Sequence, residues 1–313
     1  MSLRQDILDF NEIFKSENQQ IFLPFLEEKK VELFIKREDK IHSFVSGNKY
    51  RKLKYNLLEA EKTSYNTLLT FGGAFSNHIA AVASAGNIIG FQTIGIIRGE
   101  ELQNKIADNP TLSFAQKKGM QFKFVDRATY RGKTSEDFLN LLNDEFGEFY
   151  LIPEGGTNQL AVKGCEEILT QKDEVFDYIC CAVGTGGTIS GIINCSKPNQ
   201  QVLGFPALKG DFLKDDISKF VNQSNWKLVT DYHFGGYAKI NEELVTFVNQ
   251  FKSDYKIPIE PVYTGKMMFG IMDLIEKDYF PKGSKILAIH TGGLQGIDGM
   301  NAVLRKKKLP III

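Results

Sequence analysis

The stretch Ser46-Gly47-Asn48-Lys49-Tyr50-Arg51-Lys52-Leu53 places a lysine where imine chemistry is favoured. Upstream, Val31-Glu32-Leu33-Phe34-Ile35 alternates like a strand, and downstream Leu53, Leu57, Leu58 and Ala60 recur at helical spacing. Lys49 therefore falls on a turn that opens a helix, with Ser46 or Asn48 as the expected cap. The positive end of a helix macrodipole disfavours an ammonium and favours the neutral amine that a Schiff base requires. The plainer reading is that Lys49, Arg51, Lys52 and Lys54 form a solvated basic face.

Glycine-rich loops supply the second kind of chemistry. Gly184-Thr185-Gly186-Gly187-Thr188-Ile189-Ser190-Gly191 follows an apolar strand and opens a helix. Glycines admit an anion close to the backbone, and the helix N-terminus offers unpaired N–H groups, so a phosphate fits there. The loop lacks the Lys-Ser/Thr ending of a P-loop and the acidic partner of a dinucleotide fingerprint, which favours a monophosphate. A tight turn with no ligand is the alternative. In Gly72-Gly73-Ala74-Phe75-Ser76-Asn77-His78, Ser76 and Asn77 offer hydroxyl, amide and N–H groups to a carboxylate or a phenolic oxygen, whereas His78 reads as structural. Tyr237, in Phe234-Gly235-Gly236-Tyr237, and Tyr263, in Pro261-Val262-Tyr263-Thr264-Gly265-Lys266, read individually as packing residues. His290-Thr291-Gly292-Gly293 sets a hydroxyl at the end of a buried strand, where ligands of open α/β sheets gather.

The elements that must position these residues alternate along the chain. Strands are expected at 67–71, 93–97, 121–125, 149–152, 177–183, 202–205 and 285–290. Helices are expected around 79–83, from Asn109-Pro110 to Gly119, and at 137–145, 159–169, 211–221, 241–251 and 266–277. Such alternation implies mostly parallel sheets covered on both faces. Glycine and proline clusters near Gly47 and at 153–156 divide the chain into a large domain, 1–52 plus 154–313, and a smaller inserted α/β domain, 53–153. The run Arg305-Lys306-Lys307-Lys308 reads as a solvated helix end, and Pro310-Ile311-Ile312-Ile313 as a tail for a partner subunit.

Composition removes several classes of function. With 38 basic and 38 acidic residues the net charge is +0, so no nucleic-acid or membrane partner is expected. No apolar run at Met1-Ser2-Leu3-Arg4-Gln5-Asp6 resembles a signal peptide, and no segment reaches the ~18 apolar residues of a membrane span, which fits a cytoplasmic protein. The four histidines (His42, His78, His233, His290) show no metal-ligand spacing. The four cysteines read as reduced core residues, with Cys180 and Cys181 on opposite faces of a strand.

Five motifs taken together resemble one family over residues 34–293: Ser-Gly-Asn-Lys-x-Arg-Lys-Leu, Gly-Gly-x-x-Ser-Asn-His, Gly-Thr-Gly-Gly-Thr, Pro-Val-Tyr-Thr-Gly-Lys and His-Thr-Gly-Gly. It is that of the pyridoxal 5'-phosphate enzymes D-cysteine desulfhydrase and 1-aminocyclopropane-1-carboxylate deaminase. The resemblance implies a tryptophan synthase β-like α/β fold (PLP fold type II), with two open, mostly parallel twisted sheets and helices on both faces. It further implies that Lys49 holds the cofactor as an imine and moves protons when released. Asn77 would bond the ring hydroxyl, and Gly184, Thr185, Gly186, Gly187 and Thr188 would wrap the phosphate. Ser76 would bind the substrate carboxylate or assist proton transfer, Tyr237 and Tyr263 would flank the reacting carbons, and Thr291 would meet the pyridine nitrogen, with Thr264 also beside the cofactor. The implied partners are a small amino-acid substrate and a second copy in a homodimer.

The resemblance also bears on which reaction is expected. The deaminase branch carries Glu after the tyrosine of Pro-Val-Tyr and Leu before the last Gly-Gly, where this chain has Thr264 and Thr291. A glutamate at the ring nitrogen would keep it protonated and deepen the electron sink, as opening a cyclopropane with no Cα proton demands. Threonine suits loss of a Cα proton and departure of hydrosulfide from Cβ. The expectation is therefore D-cysteine to pyruvate, ammonia and hydrogen sulfide. The alternatives are 1-aminocyclopropane-1-carboxylate deamination to 2-oxobutanoate and ammonia, a cofactor-binding homologue without turnover, and a nucleotide binder in which Lys49 does no chemistry. Phe75 stands where glutamine is expected and should reshape the pocket beside Ser76.

Overall fold

Ten strands make two sheets in the computed structural model, which describes residues 16–210 and 212–313. They are β1 (Asn18–Ile21), β2 (Glu32–Lys36), β3 (Thr67–Gly73), β4 (Gln92–Arg98), β5 (Met120–Val125), β6 (Tyr150–Ile152), β7 (Tyr178–Val183), β8 (Gln201–Pro206), β9 (Trp226–Leu228) and β10 (Lys285–Ile289). One sheet has the order β1-β2-β10-β7-β8-β9, and only its β1–β2 pair is antiparallel. The other, β5-β4-β3-β6, is parallel throughout. The N-terminal stretch inspected for a leader lies outside the described residues.

Both sheets are covered on both faces, because successive side chains of a strand point to opposite sides. Along β7, Cys180 and Ala182 enter one core with Leu203, Ile286 and Ala288, while Ile179, Cys181 and Val183 enter the other with Val202, Leu287 and Ile289. Leu68 and Leu69 divide the same way in β3. All four cysteines are free thiols.

The expected alternation of elements is present, with limits moved by a residue or a few. The expected 159–169 helix is shorter, Gln159–Cys165, and the 211–221 helix is Phe212–Ser218, with residue 211 outside the described residues. The sequence reading missed the β1 edge strand, the short β9 and the Pro24–Lys29 and Arg127–Arg131 helices, and it caught only the basic end of the Gly296–Lys306 helix, whose first turn contains two glycines. The C-terminal tail packs on its own chain: Ile312 is buried, its N–H donates to Asn301 Oδ1 at 2.8 Å, and its carbonyl accepts from Asn301 Nδ2 at 2.8 Å.

Candidate active site

Strands β3, β7 and β10 open at their carboxyl ends onto one cavity, the place where ligands of open α/β sheets bind. It is lined by Lys49, Ser76, Asn77, Gly184, Thr185, Gly186, Thr188, Tyr237, Tyr263 and Thr291, so residues up to 242 positions apart in sequence converge. Lys52 and His78 join them, and among the described residues no aspartate or glutamate is in the lining.

The Asn48–Glu61 helix begins at Gly47, whose φ of +61° carries no side chain. A Cβ there would stand 2.0 Å from the Thr291 carbonyl oxygen, so glycine is what lets the helix start touch the end of β10. The expected side-chain cap is absent. Ser46 instead donates to the Asp39 carbonyl at 3.3 Å, and Asn48 Nδ2 donates to Thr188 Oγ1 at 2.8 Å, which ties this helix to the glycine loop after β7. Lys49 Nζ lies 3.2 Å from Asn48 Oδ1. Its pKa falls to about 8, chiefly through loss of hydration on burial, with the Glu260 carboxylate pulling the other way. Desolvation thus brings the amine closer to the neutral form than an ordinary lysine.

Lys52 is not part of a solvated face. It is 2% exposed, and its Nζ donates to the Gly155 carbonyl at 2.8 Å, Thr157 Oγ1 at 2.9 Å and Thr185 Oγ1 at 3.3 Å. Burial and then the charge of Lys49 lower its pKa to about 7. A Cβ on Gly187 would sit 3.1 Å from that nitrogen and 2.9 Å from Thr157 Oγ1. The Gly187–Cys195 helix starts with no side-chain cap after Gly186, at φ +84°, so its first N–H groups are unspent. A cation and a bare helix start therefore surround the same small space.

Ser76 caps the Asn77–Ile89 helix, accepting from the backbone N–H groups of His78 and Ile79 at 3.2 and 3.4 Å, which leaves its hydroxyl hydrogen to donate. Asn77 Oδ1 is buried with no hydrogen-bond partner. The His78 ring lies 2.8 Å from Thr70 Oγ1, and burial, then Lys49 and Lys52, hold its pKa well below the ordinary value. The Tyr237 and Tyr263 rings cross edge-on at 6.1 Å, and burial raises the pKa of both.

Two expected residues lie elsewhere. Thr264 is fully buried outside the lining, its hydroxyl occupied by Glu260. Phe75 turns away from the cavity towards Gly299, where an added Cβ would meet its ring at 2.6 Å, so the expected reshaping of the pocket does not occur. Sequence reading missed Glu260, whose carboxylate accepts from the N–H groups of Val262, Tyr263 and Thr264 at 2.7–2.8 Å and so fixes the start of the Thr264–Glu276 helix. Lys52 was also missed. The signal for it was its position three residues after Lys49, on the same helix face.

These groups fit pyridoxal phosphate. Asn77 supplies an unsatisfied acceptor for a ring hydroxyl, the Gly184–Thr188 turn with Lys52 supplies a cradle that a side chain at 187 would fill, and Lys49 supplies the amine. No group of three or more metal-ligating side chains occurs among the described residues.

Comparison with known proteins agrees. The chain is 33% identical over 298 residues to the mitochondrial bifunctional D-cysteine desulfhydrase/1-aminocyclopropane-1-carboxylate deaminase of Arabidopsis thaliana, covering 85% of this chain and 73% of that one. A crystal structure of an ACC deaminase homologue superposes with a TM-score of 0.79 at 26% identity, over 95% of this chain and 99% of that one. The O-acetylserine dependent cystathionine beta-synthase of Helicobacter pylori shares the fold at 12% identity, with a TM-score of 0.68 over 95% and 96% of the two chains. A family model for pyridoxal-phosphate dependent enzymes matches residues 17–292. The chain belongs to that family, in the group shared by D-cysteine desulfhydrase and 1-aminocyclopropane-1-carboxylate deaminase.

Proposed function

We propose that the enzyme eliminates hydrosulfide from D-cysteine, giving pyruvate, ammonia and hydrogen sulfide with uptake of one water. The observation that carries this reading is Thr291, which offers a neutral hydroxyl beyond the end of β10 to a cavity that no carboxylate lines among the described residues. Glu260, a glutamate just outside that lining, spends its oxygens on three backbone N–H groups. When bound, pyridoxal phosphate supplies an aldehyde that condenses with amines and a ring that accepts electrons from the α-carbon.

The side chains divide the remaining work. Lys52 and the helix start beyond Gly186 hold the phosphate, and Asn77 orients the ring through its free acceptor. With a pKa of about 8, roughly one Lys49 amine in ten is uncharged at pH 7, against one in a few thousand at the ordinary lysine value. That amine takes the Cα proton. Ser76 donates its hydroxyl hydrogen to the substrate carboxylate. Tyr237 and Tyr263 stay protonated because burial raises their pKa, so either can donate to the departing sulfur. We further propose the domain limits at 53 and 153, supported by the confinement of β3 to β6 between Thr67 and Ile152.

The second reading, deamination of 1-aminocyclopropane-1-carboxylate, is favoured by the names its relatives carry. Keto-acid release from D-cysteine, L-cysteine, D-serine and the cyclopropane acid separates the two. Pyruvate from D-cysteine is expected, and 2-oxobutanoate from the cyclopropane acid alone would overturn the proposal.

A further inference from the structure

Tyr237 reaches the cavity from a loop that cannot hold itself in place. Phe234 and Ala238 take positive φ (+52° and +54°), a conformation that such side chains keep only when neighbouring structure fixes it, and Gly235 and Gly236 between them (+89° and +115°) leave the backbone little stiffness of its own. Its anchors come from one stripe of the Thr264–Glu276 helix. Asp273 accepts from the Tyr232 hydroxyl at 2.5 Å, and Gly270 makes room for the Tyr232 ring, which an added Cβ would meet at 2.8 Å. The Phe269 ring stands edge-on to Phe234 at 5.0 Å. Lys266 Nζ donates to the carbonyls of His233 and Gly236, each at 2.8 Å. Positions 263, 266, 270 and 273 follow the three- and four-residue steps of a single helix face, so the loop is strapped along it from Tyr232 to Tyr237.

Lys266 is the unusual member of that stripe. It is 1% exposed, and both of its hydrogen bonds end on loop carbonyls instead of a carboxylate. Burying an ammonium is costly, and an apolar side chain of the same length would fill the volume. We infer that Lys266 is a positioning residue for the reaction, clamping the His233 and Gly236 carbonyls so that the next side chain, Tyr237, meets Tyr263 over the cavity. This inference rests on the reading of Tyr237 as a residue that faces the reacting carbons.

The test uses the holoenzyme and its variants Lys266→Met, Lys266→Gln and Tyr237→Phe. In Lys266→Met, amide hydrogen exchange over 233–238 should accelerate while β7 and β10 keep their wild-type rates. Its kcat for keto-acid release should fall by about 10²-fold, as expected for a misplaced group, with KM and cofactor affinity nearly unchanged. Lys266→Gln, which retains two N–H donors, should recover part of the loss. In the Tyr237→Phe background, Lys266→Met should cost little more, whereas a merely structural role would multiply the two losses to within about twofold. Unchanged exchange, or losses that multiply, would overturn the inference. A wild-type enzyme that releases no keto acid from any amino acid tested sinks the proposed reaction, and the exchange result then still decides whether Lys266 fixes the loop.

Discussion

Replacing Lys52 by methionine tests whether the cation beneath the glycine turn binds phosphate. The methionine keeps the aliphatic stem of a residue that is 2% exposed and removes the nitrogen that stands 3.1 Å from where a Gly187 Cβ would be. At about 4 Å and an effective dielectric near 20, an ammonium and a unit negative charge attract by ~4 kcal/mol, and truncating one member of such a buried pair costs ~2–5 kcal/mol. Cofactor affinity should therefore fall by roughly 30-fold or more. The pH dependence has a definite sign. Burial and Lys49 lower the Lys52 pKa to about 7 in the absence of an anion. A bound phosphate raises it, so binding takes up a proton. Wild-type affinity should then weaken as pH rises above 7, by up to about tenfold per unit, and Lys52→Met should lose that alkaline limb. Titrating the apoenzyme with pyridoxal phosphate, followed by absorbance at pH 6.5 to 9, measures both effects. A variant that binds as tightly as wild type with the same pH slope would refute the assignment of Lys52 to the phosphate.

Two other substitutions probe separate parts of the site. Lys49→Ala should still take up the cofactor through the phosphate cradle but show no imine absorbance and lose keto-acid production by about 10³-fold or more; retained turnover would remove Lys49 from the chemistry. Glu260→Ala leaves three N–H groups at the start of the Thr264–Glu276 helix without their acceptor, which should cost ~2–4 kcal/mol of stability in urea unfolding. Glu260→Gln, which keeps an acceptor oxygen, should lose less, and equal stability of both variants with wild type would show that the helix start is held by other contacts.

Eight of the ten strands, their mostly parallel pairing and the two glycine loops were legible because hydrophobic alternation and turn residues are local signals. The turn that places Lys49 at a helix start was readable for the same reason, whereas the burial that lowers its pKa was not. What stayed hidden depends on residues distant in the chain. Lys52 looked like one of several surface cations until Gly155, Thr157 and Thr185 closed over it. Glu260 and Lys266 carry no pattern of their own, since the partners of one are backbone N–H groups and those of the other are carbonyls 30 and 33 residues away. The 18–21 strand is short and polar, and its pairing with β2 supplies what its composition does not. Phe75 was misplaced because a motif fixes the order of residues and leaves side-chain direction to the neighbouring helix.

β10, the tenth of ten strands in sequence, lies between β2 and β7 near the middle of its sheet, and its end carries the carbonyl on which Gly47 rests. During synthesis, β2 and β7 emerge long before the strand that joins them, so this sheet stays split until β10 has been made. The lysine-bearing helix lacks its seat over the same interval. Assembly of the cavity therefore waits on β10, and a chain stalled short of it lacks the seat for the lysine-bearing helix.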